Sequence, residues 1–440
     1  MKKIALGIVL LVLGGVLVAP KLIGDRAHQE YLKAFSEYPL KTSGISFEQK
    51  SYEQSWFSSR AVTVIKIPVG NPEVKSVSVV LTSNIEHGPV IFTGKGLAFG
   101  LAYVKSNITL AGLPAGEQNL VDKYLPEGTI TSASLIDFNK LSHDTMHVGS
   151  IHFEGDKDSS VFGGLNLTGE SRLDYSSLKG TFDLPASHFT ADGFALDIAD
   201  ASGSYDEYKH ADMMLGKSDL NFPRINLVAK TGTVTLEDFK VVSNSEDQSG
   251  KLNMTGGFGV QKITAPIPVT AFQYDIEMNR VDPKVIELWS EIAKGMQTQA
   301  TAKPTAMAIP WNTPKLHQLL ELLLHGDPEM NQQLTLDGMG GRLSVNWDTH
   351  FVRMPEGEHI DDKMDGTKLL KAMDMRIGVN VDEKVAMATP FAKMLTPYMQ
   401  RGMIVKRGQK LVADIKFSKG VLTVNGIPVP MGKTQQSHRH

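Results

Sequence analysis

Residues 272–279 have the sequence FQYDIEMN, in which apolar and polar side chains alternate without interruption. Successive side chains of a β-strand point to opposite faces of the sheet, so this pattern predicts a strand with one apolar face and one wet face. The same alternation occurs at residues 76–81, where it is less regular, and at residues 411–418. Strands of this kind are typical of antiparallel sheets that bury only one side.

Turn signals separate many such segments. Examples are residues 87–89 (HGP) and the polar run at residues 243–250, and the chain contains 40 glycines. Residues 44–280 are therefore predicted to form a long meander of hairpins. Because a sheet of that length must curl, close or stack to cover its apolar face, we expect a long curved sheet or groove.

Helix start signals appear in the second half of the chain. Asp282 is a good N-cap residue and Pro283 suits the first helical position. The pairs at residues 313–314 and 389–390, both Thr-Pro, repeat this signal. Residues 297–310 are rich in Thr, Ala and Pro and are predicted to form a linker or loop. The predicted fold class is α+β, mostly antiparallel β, with helices inserted in the C-terminal part.

The N-terminal segment predicts a membrane anchor. Two lysines precede an apolar run at residues 4–19. This run is short for a membrane-spanning helix and long for a signal peptide. Ala19 is a poor cleavage site, because Leu17 lies two positions before it and Pro20 follows it. We favour an uncleaved transmembrane helix with residues 25–440 outside the inner membrane, and a cleaved signal peptide is the alternative.

Composition excludes several classes of function. The chain has 440 residues, with 45 Lys and Arg against 48 Asp and Glu. The formal charge of −3 gives no basic surface for nucleic acid. The absence of cysteine excludes disulfides, cysteine nucleophiles and Cys-ligated metals. We divide the chain into an anchor, a β-rich region, a helical insertion, an α+β region and a disordered tail, at residues 1–24, 25–281, 282–335, 336–432 and 433–440.

No motif for catalysis, cofactor binding or metal binding is complete. Residues 216–218 (GKS) lack both the earlier glycine and the following helix of a phosphate-binding loop. His143 and His147 are four residues apart, but their surroundings have the pattern of a strand and no HExxH arrangement occurs. We therefore predict no catalytic residue, no cofactor and no metal site.

One helix is a candidate contact surface for an apolar ligand or a partner. Residues 316–324 are apolar over more than half of the helix circumference. The candidate contact residues are Leu316, Leu319, Leu320 and Leu323. We favour the interpretation of a helix buried against the sheet, in which these leucines only fill the core.

Three short segments resemble the YdgA-like family of bacterial envelope proteins, whose biochemical activity is unassigned. They are residues 55–59 (SWFSS), 278–284 (MNRVDPK) and 420–426 (GVLTVNG). Ser55 stands where the family usually has glycine. The resemblance implies an anchor in the inner membrane, a body in the periplasm and no catalytic residue. We also expect Trp56 and Phe57 to form an apolar anchor for the first strand.

Together these features predict a non-enzymatic periplasmic protein that is held at the inner membrane. Its expected ligand is a lipid, another apolar molecule or an envelope protein, bound along a groove in the β-sheet. One alternative is a scaffolding protein that forms a homodimer through an exposed strand edge. Another is a hydrolase that acts on an envelope polymer or lipid, with acids or histidines converging in one cleft.

Overall fold

A computed structural model describes residues 45–69, 76–94, 96–154, 159–211, 213–266, 268–302, 314–352, 372–388 and 392–429. The predicted anchor and the predicted tail lie outside these residues. The described residues form two compact units. Unit 1 extends to residue 214 and includes residues 220–231, and unit 2 contains residues 215–219 and all those from 232. No helix within the described ranges is long and apolar enough to span a membrane.

Unit 1 consists almost entirely of strands. They are β1 (Ser46–Gln54), β2 (Ser58–Pro68), β3 (Ser76–His87), β4 (Val90–Thr93), β5 (Gly96–Phe99), β6 (Ala102–Ala111), β7 (Ile130–Ile136), β8 (Leu141–Val148), β9 (Ile151–Glu154), β10 (Ser159–Phe162), β11 (Leu165–Arg172), β12 (Ser177–Leu184), β13 (Ser187–Ala191), β14 (Phe194–Ile198), β15 (Ala201–His210) and part of β16 (Met213–Ala229). One helix, α1 (Ala115–Tyr124), connects β6 to β7.

Two series of antiparallel pairings organise unit 1. The first runs in the order β1, β2, β3, β6, β7, β8, β11, β12 and β15. The second runs in the order β9, β10, β13, β14 and β16. β4 and β5 pair only with each other, as a separate hairpin.

Four long strand segments of unit 1 break along one line. The breaks lie at residues 149–150, 163–164, 185–186 and 199–200, and in the pairings of the described residues no strand piece on one side of these breaks pairs with a piece on the other. We call this line the crease. Hydrogen bonds from the backbone to side chains hold the residues at the crease together. Gly163 N donates to Ser187 Oγ at 2.9 Å, and Ala186 N donates to Asp200 Oδ1 at 2.7 Å.

Within the described residues, unit 2 combines antiparallel strands of the same large sheet with four helices. Its strands are β17 (Gly232–Gln248), β18 (Lys251–Thr264), β19 (Val269–Val281), β20 (Glu329–Gly338), β21 (Gly341–Phe351), β22 (Met373–Asp382), β23 (Val405–Arg407), β24 (Lys410–Ser418), β25 (Val421–Val424) and β26 (Ile427–Val429). Its helices are α2 (Pro283–Ala302), α3 (Pro314–Gly326), α4 (Glu383–Ala388) and α5 (Ala392–Gln400). Strands β17 to β22 pair in chain order, and β24 then joins β22 to β25.

The mostly antiparallel β prediction is confirmed, and so are two helix starts. Asp282 Oδ1 accepts a hydrogen bond from Lys284 N at 3.0 Å and so caps α2, and α3 begins at Pro314. The predicted linker at residues 297–310 is wrong at its start, because α2 continues to Ala302. Gln, Thr and Ala are compatible with a helix, so composition alone could not end it there.

Two local expectations differ from the structure. Helix α1 was not predicted, and its weakly amphipathic sequence buries no side chain. Trp56 and Phe57 lie in the turn between β1 and β2 and are each 51% exposed, so they do not form a buried anchor. The predicted turn at Asn425 is confirmed, since its φ of 50° is positive and it links β25 to β26.

The crease predicts contrasting effects for two of its glycines. A Cβ on Gly163 would lie 2.2 Å from Ala186 O, whereas a Cβ on Gly149 would meet Thr129 O at 3.6 Å, an ordinary contact. We expect Gly163→Ala to destabilise the protein by about 1–3 kcal/mol, because the backbone must move. Gly149→Ala is the matched control and should change stability by less than about 0.5 kcal/mol. Chemical denaturation measures both, and equal effects would contradict a tightly closed crease.

Candidate functional site

The register of the unit 2 sheet separates apolar from polar side chains. Directly opposed residues of antiparallel strands share a face, so cross-strand rows can be followed from β18 to β24. One central row is apolar throughout and consists of Phe258, Tyr274, Leu334, Val345, Val379 and Ala413. The next row on the same face consists of Ile276, Gln332, Trp347, Ile377, Ile415 and Val424. We call these two rows the apolar strip.

The apolar strip is partly exposed along its length. None of its side chains is buried, and Phe258 and Trp347 are 43% and 39% exposed. The flanking rows on the same face do contain buried residues, among them Leu411 at 1% and Phe417 at 4% exposure. The strip crosses six strands and is therefore about 24 Å long. Half the hydrocarbon core of a bilayer is only about 15 Å thick, so an acyl chain fits along the strip.

Aromatic rings define one end of the apolar strip. The ring of Phe258 lies 5.4 Å from that of Phe272 and 5.6 Å from that of Tyr274, measured between centroids. The Tyr274 hydroxyl donates to Gln332 Oε1 at 2.7 Å. This bond satisfies the phenol within the strip, so the Tyr274 hydroxyl is compatible with an apolar ligand.

The four leucines named as candidate contacts lie on α3, outside the strip. Leu316, Leu319 and Leu320 are buried, with exposures of 6%, 5% and 9%, and Leu323 is half-buried. The helix packs against β19 and β21. The structure therefore brings these leucines together in a packed interior surface. Phe258 and Trp347, which the sequence analysis did not name as a site, are the two exposed members of the apolar strip.

The opposite face of the same sheet holds a polar cavity of about 290 Å³. His350 Nε2 lies 2.6 Å from Asp327 Oδ1, and Arg280 Nη2 lies 3.0 Å from Glu329 Oε1. The cavity is lined by Glu329, Asn331, Asp348, Thr349, His350, Asp374, Met375, Arg376 and Lys416. It is one of the places within the described residues where acids and a histidine lie close together, as a hydrolase would require.

Some of the charged side chains around this cavity already form ion pairs with each other. Arg376 donates two hydrogen bonds to the carboxylate of Asp414, at 2.9 and 3.1 Å. The hydrogen bonds and the charge of Asp414 raise the pKa of the Arg376 guanidinium above its ordinary value. No group of three or more His, Cys, Asp or Glu side chains with metal-binding geometry occurs in the parts of the chain that the structure describes.

The burial of α3 predicts different costs for two of its leucines. Leu319→Ala removes a buried side chain, so we expect a loss of about 2–5 kcal/mol in the free energy of unfolding. Leu323→Ala removes a half-buried side chain and should cost less than about 2 kcal/mol. Thermal and chemical denaturation of the two variants measure this difference. A larger cost for Leu323→Ala would show that α3 packs through a different face.

Comparison with known proteins identifies the family but no function. No curated protein matches the chain, and no solved structure matches it. A family model described as "Bacterial protein of unknown function (DUF945)" matches residues 1–432. The match includes both units, the apolar strip and the polar cavity. The chain therefore belongs to the DUF945 family of bacterial proteins.

Proposed function

We propose that the chain is a non-enzymatic periplasmic protein, anchored in the inner membrane, that binds a lipid or another apolar envelope component along the apolar strip. The observation that carries this proposal is the exposure of the strip. Two adjacent rows of mostly apolar side chains run across six strands without a buried member. An extended exposed apolar surface is typical of a binding site.

The shape of the strip favours an elongated ligand. Its polar groups are few, so it offers an acyl chain continuous apolar contact along about 24 Å. Covering apolar surface is favourable by roughly 25 cal/mol per Å², so a ligand that covers the strip is held without any specific polar group. This matches the absence of a complete catalytic or cofactor motif in the sequence.

The location is proposed from the N-terminal sequence. The apolar run at residues 4–19 follows two lysines, and positive charge on the N-terminal side favours an N-terminus inside the cell. We therefore infer that the two β-rich units lie outside the inner membrane, where a lipid or an envelope protein is the available partner. A homodimer through a strand edge is the scaffolding alternative, and β1 and β26 each pair on one side only in the pairings described above.

The polar cavity favours one further candidate, a hydrolase. Its motivation is the hydrogen bond between His350 and Asp327 beside a cleft lined by cations and acids. If His350 acts as a base there, His350→Ala should abolish hydrolysis of envelope lipids or polymers by the purified protein. Equal activity in the wild type and the variant, or none in either, would remove this candidate.

Photo-crosslinking in living cells tests the lipid proposal. We expect benzoylphenylalanine at position 258 or 347 to yield lipid adducts of the full chain, detected by mass spectrometry. Position 242 is the matched control, because Val242 is 48% exposed but lies opposite Gly257 on the polar face. Adducts at 242 as frequent as those at 258 and 347, or none at any position, would contradict the proposal.

A substitution in the strip should weaken the same signal. We expect Phe258→Asp to lower the yield of lipid adducts at position 347 by about tenfold or more, because a covered Phe contributes about 1.5–3 kcal/mol. Val242→Asp adds the same charge on the polar face and should leave the yield unchanged. Equal losses in the two variants would indicate a general effect of charge or folding, so that the strip would not be the binding site.

A further inference from the structure

A hairpin in unit 1 is apolar on both faces. In the β4–β5 pairing, Val90 opposes Phe99 and Phe92 opposes Leu97, so these four side chains share one face. Phe92, Leu97 and Phe99 on this face are 77%, 62% and 66% exposed. Ile91 points to the other face and is 1% exposed. One face is therefore packed against the protein, while the other presents large apolar side chains to the surroundings.

The hairpin is held firmly by the sheet next to it. Gly88 N donates to Leu101 O at 2.8 Å, and Leu101 N donates to Ile136 O at 2.8 Å. The backbones approach so closely that a Cβ on Gly88 would lie 1.7 Å from Gly100 O. These contacts fix the base of the hairpin, so the exposed face has a set direction.

Further exposed aromatic residues lie at the same end of the unit 1 sheet. His87 N donates to Phe57 O at 2.8 Å, which places the β1–β2 turn beside the base of the hairpin. Ala102 opposes Ile136, so the β7–β8 turn with Phe138 lies at this end too. Trp56 and Phe57 are each 51% exposed and Phe138 is 53% exposed. We call the set the apolar rim: Trp56, Phe57, Phe92, Leu97, Phe99 and Phe138.

The charge of the hairpin's own segment favours an anionic partner. Residues 87–116 contain Lys95 and Lys105 but no Asp or Glu, and the acids that flank the rim in the sequence are Glu86 and Asp137. Exposed aromatic side chains near lysines are typical of surfaces that lie in the headgroup region of a bilayer. The face of a protein partner would more often supply matching polar groups, and the outer face of this hairpin has none to match.

A bilayer is also within reach of the rim. The strand β1 has nine residues and leads from residue 46 to the rim, a distance of about 30 Å. Residues 20–45 separate the apolar run at 4–19 from β1, and this length of chain can span about 80 Å. A membrane that holds residues 4–19 could therefore also contact the rim.

We propose that the apolar rim inserts into the headgroup region of an anionic phospholipid bilayer. Phe92, Leu97 and Phe99 enter the boundary between headgroups and acyl chains, and the positive charge of the hairpin segment attracts the phosphates. This contact is separate from ligand binding along the apolar strip of unit 2. It provides the protein with a second attachment to the membrane surface, with unit 1 held in a defined orientation.

The lack of cysteine allows a direct test on the full chain. Single cysteines replace Phe92, Leu97 or Leu120 and carry an environment-sensitive fluorophore, and the protein is reconstituted in phosphatidylglycerol-rich vesicles containing nitroxide-labelled lipid. Leu120 is the matched control, because it is 56% exposed on α1 of the same unit. We expect the lipid to quench the labels at 92 and 97 strongly, while the label at 120 stays accessible to aqueous iodide.

Two variations examine the chemistry of the contact. Phe99→Ser should lower the quenched fraction of the label at 97 by about tenfold, since it removes a large apolar side chain from the interface. Vesicles of phosphatidylcholine alone should weaken quenching by about tenfold, because the positive charge of the hairpin segment loses its anionic partners. Circular dichroism and thermal unfolding confirm that each variant is folded.

Two results would overturn the proposal. If iodide quenches the labels at 92, 97 and 120 equally and the lipid quenches none of them, the rim does not contact the bilayer. If the labels at 92 and 97 are protected from iodide but show energy transfer between differently labelled copies and no quenching by lipid, the rim is an interface between two copies of the chain.

Discussion

Alternation of apolar and polar residues in antiparallel strands is the constraint on which the structure depends. It directs the apolar side chains of β18 to β24 to one face and leaves the other face polar. A sheet of this size needs another layer to cover its apolar face. Within the described residues, α3 packs against β19 and β21 through its leucines, and no side chain of the two central rows is buried. The partly exposed strip is thus a consequence of many amphipathic strands and few helices.

The two units differ in where their exposed apolar side chains lie. In unit 2, a long strip of partly exposed apolar side chains lies inside the outline of the sheet, between rows that contain the buried residues Leu411 and Phe417. Among the described residues of unit 1, the three most exposed large apolar side chains lie in one short hairpin at the end of the sheet. A strip suits an elongated apolar molecule, whereas an end surface with exposed aromatic rings suits a flat boundary such as a bilayer. Both uses agree with a protein of the cell envelope.

The sequence was sufficient for the strands, several turns and two helix starts, because these depend on local chemistry. The alternation at residues 272–279, the cap at Asp282 and the positive φ at Asn425 are examples. It was insufficient for the site. The exposure of Phe258 and Trp347 depends on which strands become neighbours and on which rows the helices cover, and neither is encoded locally. The α3 leucines had the strongest local pattern, and they are largely buried.

The most direct measurement is mass spectrometry of organic extracts from residues 25–440, exported to the bacterial periplasm and purified without detergent. If the apolar strip binds lipid, the extract should contain phospholipid in near-stoichiometric amount, because contact between an apolar surface and water is unfavourable. A folded protein that carries no lipid or other apolar molecule would contradict ligand binding along the strip.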